Sequence, residues 1–230
     1  MPVEVVPNPY HPTRDIVLLR DPWTADEVRD AAAANPRPLM QKAIPGTDKH
    51  ARLMAAGGRI YQQCPPLHLD VDTPEVAAWV TDHALLPVVD AAGVDLLELW
   101  TSWYEVIHRG WAPTAPHEAL AGLFTELAAE IDPYSSSLCR IDGRVIAVAF
   151  VFPGDEPPCL LTEALEPEHR QAKDAVASCM ARSLALVSGV VIFDGHVSDP
   201  HFAPLWATVP GVFAGSTDPL DLIEISATAV

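Results

Sequence analysis

The stretch from Leu160 to Val187, LLTEALEPEHRQAKDAVASCMARSLALV, reads as a short apolar strand, a charged turn and a helix. A helix fed from a strand end presents its first backbone amides without partners, at the positive end of its dipole. Such a turn is suited to an anion, a phosphate above all. Arg170 and Lys173 add cationic side chains there, whereas the glycines that would let a phosphate close to the backbone are absent. Lys173 then either blocks that approach or sends its ammonium to the anion as a point charge. An ordinary solvated helix start is the plain alternative.

Composition narrows what such a turn serves. A net charge of −17 argues against nucleic acid, whose phosphates need a surplus of Lys and Arg on the binding face. The four cysteines, Cys64, Cys139, Cys159 and Cys179, form neither a CxxC nor a Cys/His cluster, so no zinc site and no disulfide framework is indicated. Metal catalysis and nucleotide hydrolysis have no motif. No apolar run approaches the roughly 20 residues that span a bilayer, and the N-terminal MPVEVVPNPYHPTRD lacks the regions of a signal peptide. The expectation is a cytoplasmic protein without a membrane partner. Its 230 residues, 49% of them hydrophobic, suffice for one large domain or two small ones. The alanines and 23 prolines suggest a GC-rich, bacterial source.

Several elements must position the turn. Met1 to Thr13 is expected to be a loosely ordered arm. DIVLLR predicts a strand, and TADEVRDAAAAN a helix with Thr24 and Glu27 at capping-box spacing. TDKHARLMAAGG ends in glycines suited to a C-cap, and RIYQQCPPLHLDV predicts two strands interrupted by Pro65 and Pro66. TPEVAAWVTDHALL starts with a Thr cap and a proline at the first helical position. Leu96, Leu99, Trp103 and Ile107 share a helical face, and HEALAGLFTELAAEID makes a further helix. SLCRIDGRVIAVAFVF carries a hairpin signal at IDGRV. GVVIFDGHV predicts a buried strand, DPHFAPLWATVPG a short helix, and VFAGSTDPLDLIEIS an edge pair of strands. The sum is an α/β fold, a mixed twisted sheet flanked by helices.

An internal echo links Ala51 onward, ARLMAAGGRIYQQCPPLHL, to Ala203 onward, APLWATVPGVFAGSTDPLDL. Chance in alanine-rich sequence and duplication of one module both produce it. With the order of elements, three phrases then resemble the GCN5-related N-acetyltransferases. They are IDGRVIAVAFVF as central hairpin, TEALEPEHRQAKDAVASCMARSLA as strand, pyrophosphate loop and helix, and DGHVSDPHFAPLWATVPGV as the next strand and helix. The likeness spans about Val94 to Ile225 and divides the chain into an acyltransferase-like domain, 91–230, and a degenerate or accessory region, 1–90, an incomplete half of the same fold.

The resemblance implies acetyl-CoA, or another acyl-CoA, as co-substrate and an amine of a small molecule as acceptor. It places the coenzyme at Ala164, Leu165, Arg170, Gln171, Ala172, Lys173, Asp174 and Ala175, with Lys173 where the family has a central glycine. Acyl transfer needs a neutral amine, a polarised thioester carbonyl and a proton for the leaving thiolate. Glu163 is the candidate base. Ala207 stands where the family's acidic tyrosine would align, so His196, His201 or Cys159 is left for that role. Asp199 is expected to cap the helix that follows. Tyr104, His108 and Trp111, near His117 and Trp103, suggest an acceptor pocket. Association into a homodimer is one expectation. The rival readings are a protein of this fold that has lost the coenzyme and serves as a binding partner, and an enzyme using a carrier-protein-linked donor or another reaction.

Overall fold

The computed structural model describes residues 2–64, 67–154, 157–214 and 220–227. Along the chain lie β1 (Val3–Pro7), β2 (Asp15–Leu19), α1 (Ala25–Ala34), β3 (Leu39–Ala43), α2 (Asp48–Ala55) and β4 (Arg59–Cys64). Next come β5 (Leu67–Asp70), α3 (Pro74–His83), β6 (Val88–Asp90), α4 (Leu96–His108) and α5 (His117–Ala129). The chain continues with β7 (Ser137–Ile141), β8 (Arg144–Phe152), β9 (Cys159–Ala164), α6 (Ala172–Leu184), β10 (Val190–Phe193), α7 (Phe202–Trp206), β11 (Phe213–Ala214) and β12 (Leu220–Ile225).

Local chemistry sets most of these limits. Thr24 and Glu27 close the expected capping box on α1, Thr47 caps α2, and Thr73 with Pro74 opens α3. At the β7–β8 turn Asp142 and Gly143 take φ of 52° and 81°, the paired positive values of a two-residue hairpin. β8 is apolar on both faces because it runs through the middle of its sheet.

Contacts group the chain into two compact units that interleave along the sequence. The first comprises Met1–Cys64, His108–Pro116 and Asp218–Val230; the second comprises Pro65–Ile107 and His117–Thr217. The first unit holds a five-stranded sheet in the order β1-β2-β3-β12-β4. Its β2 and β3 are parallel, joined through α1, and its other pairs are antiparallel. Ile223 and Ile225 pack there with Val17, Val28, Leu39 and Leu53.

The second unit holds seven strands in the order β11-β5-β10-β9-β8-β7-β6. Only β9 and β10 are parallel, joined through α6; the other pairs are antiparallel. Its core sets Ala175, Val176, Cys179 and Met180 of α6 with Ala147, Ala149 and Val151 of β8.

Read outward from the parallel pair, five strands of the second sheet repeat the order and directions of the first. β1-β2-β3-β12-β4 corresponds to β8-β9-β10-β5-β11, with α1 in the place of α6 and α2 in the place of α7. Among the described residues the first unit has no counterparts of β6, α4, α5 and β7, as an incomplete half of the same fold would. Each half also donates a strand: β5, which follows β4 in sequence, pairs with β10 and β11, and β12, which follows β11, pairs with β3 and β4. Two expectations are corrected by this arrangement. The N-terminal arm is not loose, because Val3–Pro7 pairs in full with β2. The final strand is not an edge, because β12 lies between β3 and β4.

Candidate active site

The turn after β9 first spends its backbone on the neighbouring strand. Leu165 and Glu166 donate their N–H groups to the Ile146 carbonyl, at 2.8 and 3.3 Å. His169 then folds the turn: its carbonyl accepts from Ala172 N–H at 2.9 Å, and its Nδ1 accepts from Gln171 N–H at 3.2 Å. Gln171 is the N-cap of α6 and makes no side-chain cap hydrogen bond. The N–H groups of Lys173 and Asp174 find no acceptor among the described residues. Arg170 and Lys173 are exposed, Gln171 and Asp174 half-buried, and Ala172 and Ala175 lie in the core. The corresponding helix of the first unit, α1, differs at this point. Thr24 Oγ1 accepts from Glu27 N–H, Glu27 Oε2 accepts from Thr24 N–H, and Asp26 adds a second acidic residue. One helix start carries an acidic capping box, and the other has no side-chain cap and two exposed cations, Arg170 and Lys173, at its start.

Glu163 sits on β9 opposite Val148, 1% exposed. The parallel ladder with β10 ends at Leu160, whose carbonyl accepts from Asp194 N–H at 3.1 Å. At Glu163 the start of α7 takes over from the strand. Glu163 Oε2 accepts from the N–H groups of His201 and Phe202, both at 3.0 Å. Its Oε1 accepts from Ala164 N–H at 2.7 Å and faces His201 Nδ1 at 2.6 Å. The carboxylate therefore caps α7 from another element, where a negative charge suits the helix dipole.

Asp199 does not serve as that cap, contrary to the expectation from its position. Its Oδ2 accepts from His196 N–H at 2.7 Å and its Oδ1 lies 3.4 Å from His196 Nδ1, so it folds the loop before α7. A Cβ on Gly195 would come within 2.5 Å of the Phe202 ring, which is why this loop carries a glycine. Ala207, at the position of the expected tyrosine, ends α7 as its C-cap.

The three expected acceptor residues fall into two groups. Tyr104 packs on Phe124 of α5, with ring centroids 4.8 Å apart, within the second unit. His108 and Trp111 belong to the first unit, where His108 lies 4.9 Å from the His11 ring and 4.7 Å from Trp111. Trp111 in turn meets Tyr61, over which Arg14 is stacked at 4.6 Å. Burial pushes the Tyr61 hydroxyl up to about 12, with Glu224 and Cys64 adding to the effect and Arg14 opposing it. Glu224 itself is buried, which raises its pKa, but hydrogen bonds from Arg14 at 2.7 Å and Arg59 at 3.0 Å outweigh this and hold it low.

His117 stands apart from these rings, with Nδ1 3.1 Å from Glu105 and Nε2 3.0 Å from Glu98. Trp100, which sequence reasoning passed over for Trp103, packs its ring against Phe150 and Phe152. Its position next to Leu99 was the available signal. Among the described residues no cluster of His, Cys, Asp and Glu has the arrangement of a metal site, and no helix is long and apolar enough to cross a membrane.

No protein-family model and no curated protein matches the sequence. Solved structures do match the fold. A GCN5-related N-acetyltransferase from Sphaerobacter thermophilus superposes with a TM-score of 0.60 over 96% of this chain and 75% of that one, at 12% identity. The fold is that of the GCN5-related N-acetyltransferases. A tandem protein of this fold from the clavulanic acid biosynthesis pathway superposes with a TM-score of 0.51 at 13% identity, over 94% of this chain and 75% of its own. One from Anabaena variabilis gives 0.51 at 13% identity, over 97% of this chain and 59% of its own.

Proposed function

We propose that this protein is an acyl-CoA-dependent N-acyltransferase that moves an acetyl or other acyl group to an amine of a small molecule. The observation that carries the reading is the contrast between the two helix starts. α6, in the complete half, has no side-chain cap and carries Arg170 and Lys173 at its start, whereas α1, in the incomplete half, has a capping box with Asp26 and Glu27. A pyrophosphate fits the uncapped start: amides meet its oxygens, and the two cations balance its charge. The coenzyme, when bound there, supplies the activated acyl thioester, and the chain holds the phosphates and moves protons. Glycine is not required if Lys173 reaches the phosphates with its side chain instead of letting them reach the backbone.

One observation favours a second reading, a chain that keeps the fold without the coenzyme and acts as a binding or assembly partner. The N–H groups of Ala164 and Leu165, two residues expected to meet the coenzyme, are engaged by Glu163 Oε1 and the Ile146 carbonyl. Calorimetry with acetyl-CoA separates the two. Binding that Lys173→Glu weakens tenfold or more, about 1.4 kcal/mol, supports the enzyme and gives the lysine the role of the missing glycine. No binding at high micromolar coenzyme favours the second reading or a carrier-protein-linked donor.

A further inference from the structure

We infer that His201 is the group that takes the proton from the acceptor amine and that Glu163 positions it; this rests on the acyl-transfer reading above. A general base must present a free lone pair to its substrate. A carboxylate offers about four acceptor sites, and Glu163 has four donors on them: Ala164 N–H, His201 N–H, Phe202 N–H and His201 Nδ1. At 1% exposure it also has no open face. Freeing one oxygen would strip a buried carboxylate of a partner or uncap α7, and both are costly. Glu163 is thus occupied as a structural anion.

The ring of His201 has the opposite character. Facing an acceptor-only carboxylate at 2.6 Å, its Nδ1 carries the hydrogen, and that tautomer places the lone pair on Nε2. Nε2 has no partner among the described residues, and the side chain is 15% exposed against 1% for Glu163. The ring stands where β9 has lost β10 as neighbour. A carboxylate behind the imidazole fixes its orientation and stabilises the imidazolium once formed.

The step balances as follows. The amine nitrogen attacks the thioester carbonyl carbon, the C–N bond forms and the C–S bond breaks, with its electron pair leaving on sulfur. The amine proton passes to Nε2 of His201 and from there to the thiolate, giving amide and free thiol. The same imidazole therefore serves as base and then as acid, which removes the need for a tyrosine where Ala207 stands.

The test combines calorimetry with acetyl-CoA, thiol release from acetyl-CoA with water, spermidine, tyramine or glycine as acceptor, and ¹⁵N NMR of the histidine rings. The wild-type His201 ring is expected as the Nδ1-protonated tautomer. His201→Gln should keep coenzyme affinity within about twofold and lose about a hundredfold of turnover or more, with His201→Asn as a second variant should the first not fold. Glu163→Gln should lower kcat with little change in acceptor KM, because a neutral amide behind the ring stabilises the transferred proton less than a carboxylate does; a purely structural carboxylate would change stability and leave kcat in place. Wild-type protein that does not bind acetyl-CoA overturns the acyl-transfer reading. Binding without turnover of any acceptor, wild-type turnover in His201→Gln, an unchanged kcat in Glu163→Gln, or an Nε2-protonated ring overturns the role of His201 alone.

Discussion

Glu163 and Glu105 both meet an imidazole, and burial separates what the two meetings do. The first is enclosed and saturated, so its charge serves a helix and a ring at once. The second lies at the surface, where His117 is held between Glu105 and Glu98 and its pKa is raised, chiefly by the hydrogen bond to Glu105 and then by that to Glu98. A histidine whose pKa is raised on folding stabilises the fold fully below its unfolded value, about 6.5. That contribution is lost as the pH rises through the folded value. His117 should titrate above 6.5 by NMR, and Glu105→Gln should bring it down. The difference in urea midpoint between wild type and Glu105→Gln should shrink from pH 6 to pH 9; a difference constant over that range would mean that the ion pair contributes nothing measurable.

At the scale of elements, two helices in equivalent places begin in different ways. Removing the capping hydroxyl of α1 with Thr24→Ala should cost about 1 kcal/mol in chemical denaturation and leave acetyl-CoA affinity unchanged. A coenzyme affinity that falls with Thr24→Ala would contradict the assignment of binding to α6 alone. Thr24 with Glu27, Thr73 with Pro74, and the Asp142-Gly143 turn were legible in the sequence because each acts over a few residues. Asp199 was misread by the same logic. It sits at the right spacing for a cap, but the α7 amides were already taken by a carboxylate 38 residues earlier in the chain. No local pattern signals that competition.

For the molecule as a whole, the exchange of terminal strands makes each sheet depend on residues far away in sequence. Ile223 is fully buried in the first unit beside Leu53, and a Cβ on Gly58 would come within 2.6 Å of its Cγ2. Ile223→Ala should therefore cost about 2–5 kcal/mol. Hydrogen exchange should show the loss in residues 39–43 and 59–64 of β3 and β4, which flank β12. Loss of protection confined to β11 and β5 would show that the strands are not exchanged in solution. The sequence echo made a repeated module legible but could not say which copy of the last strand completes which sheet, since both are short apolar strands of similar pattern.

What the sequence determined by itself was short in range. The order of elements, the helix caps, the hairpin and the cationic turn before α6 follow from side chains acting on their own few neighbours. The tertiary structure alone decided that β12 pairs with β3 and β4, that His108 and Trp111 join His11 and Tyr61, and that Glu163 is filled by four donors from Ala164, His201 and Phe202. The physical reason is common to all three. Strand register, ring packing and the saturation of a buried carboxylate depend on which distant groups arrive first at a limited set of contacts, and that is settled only when the chain has closed on itself.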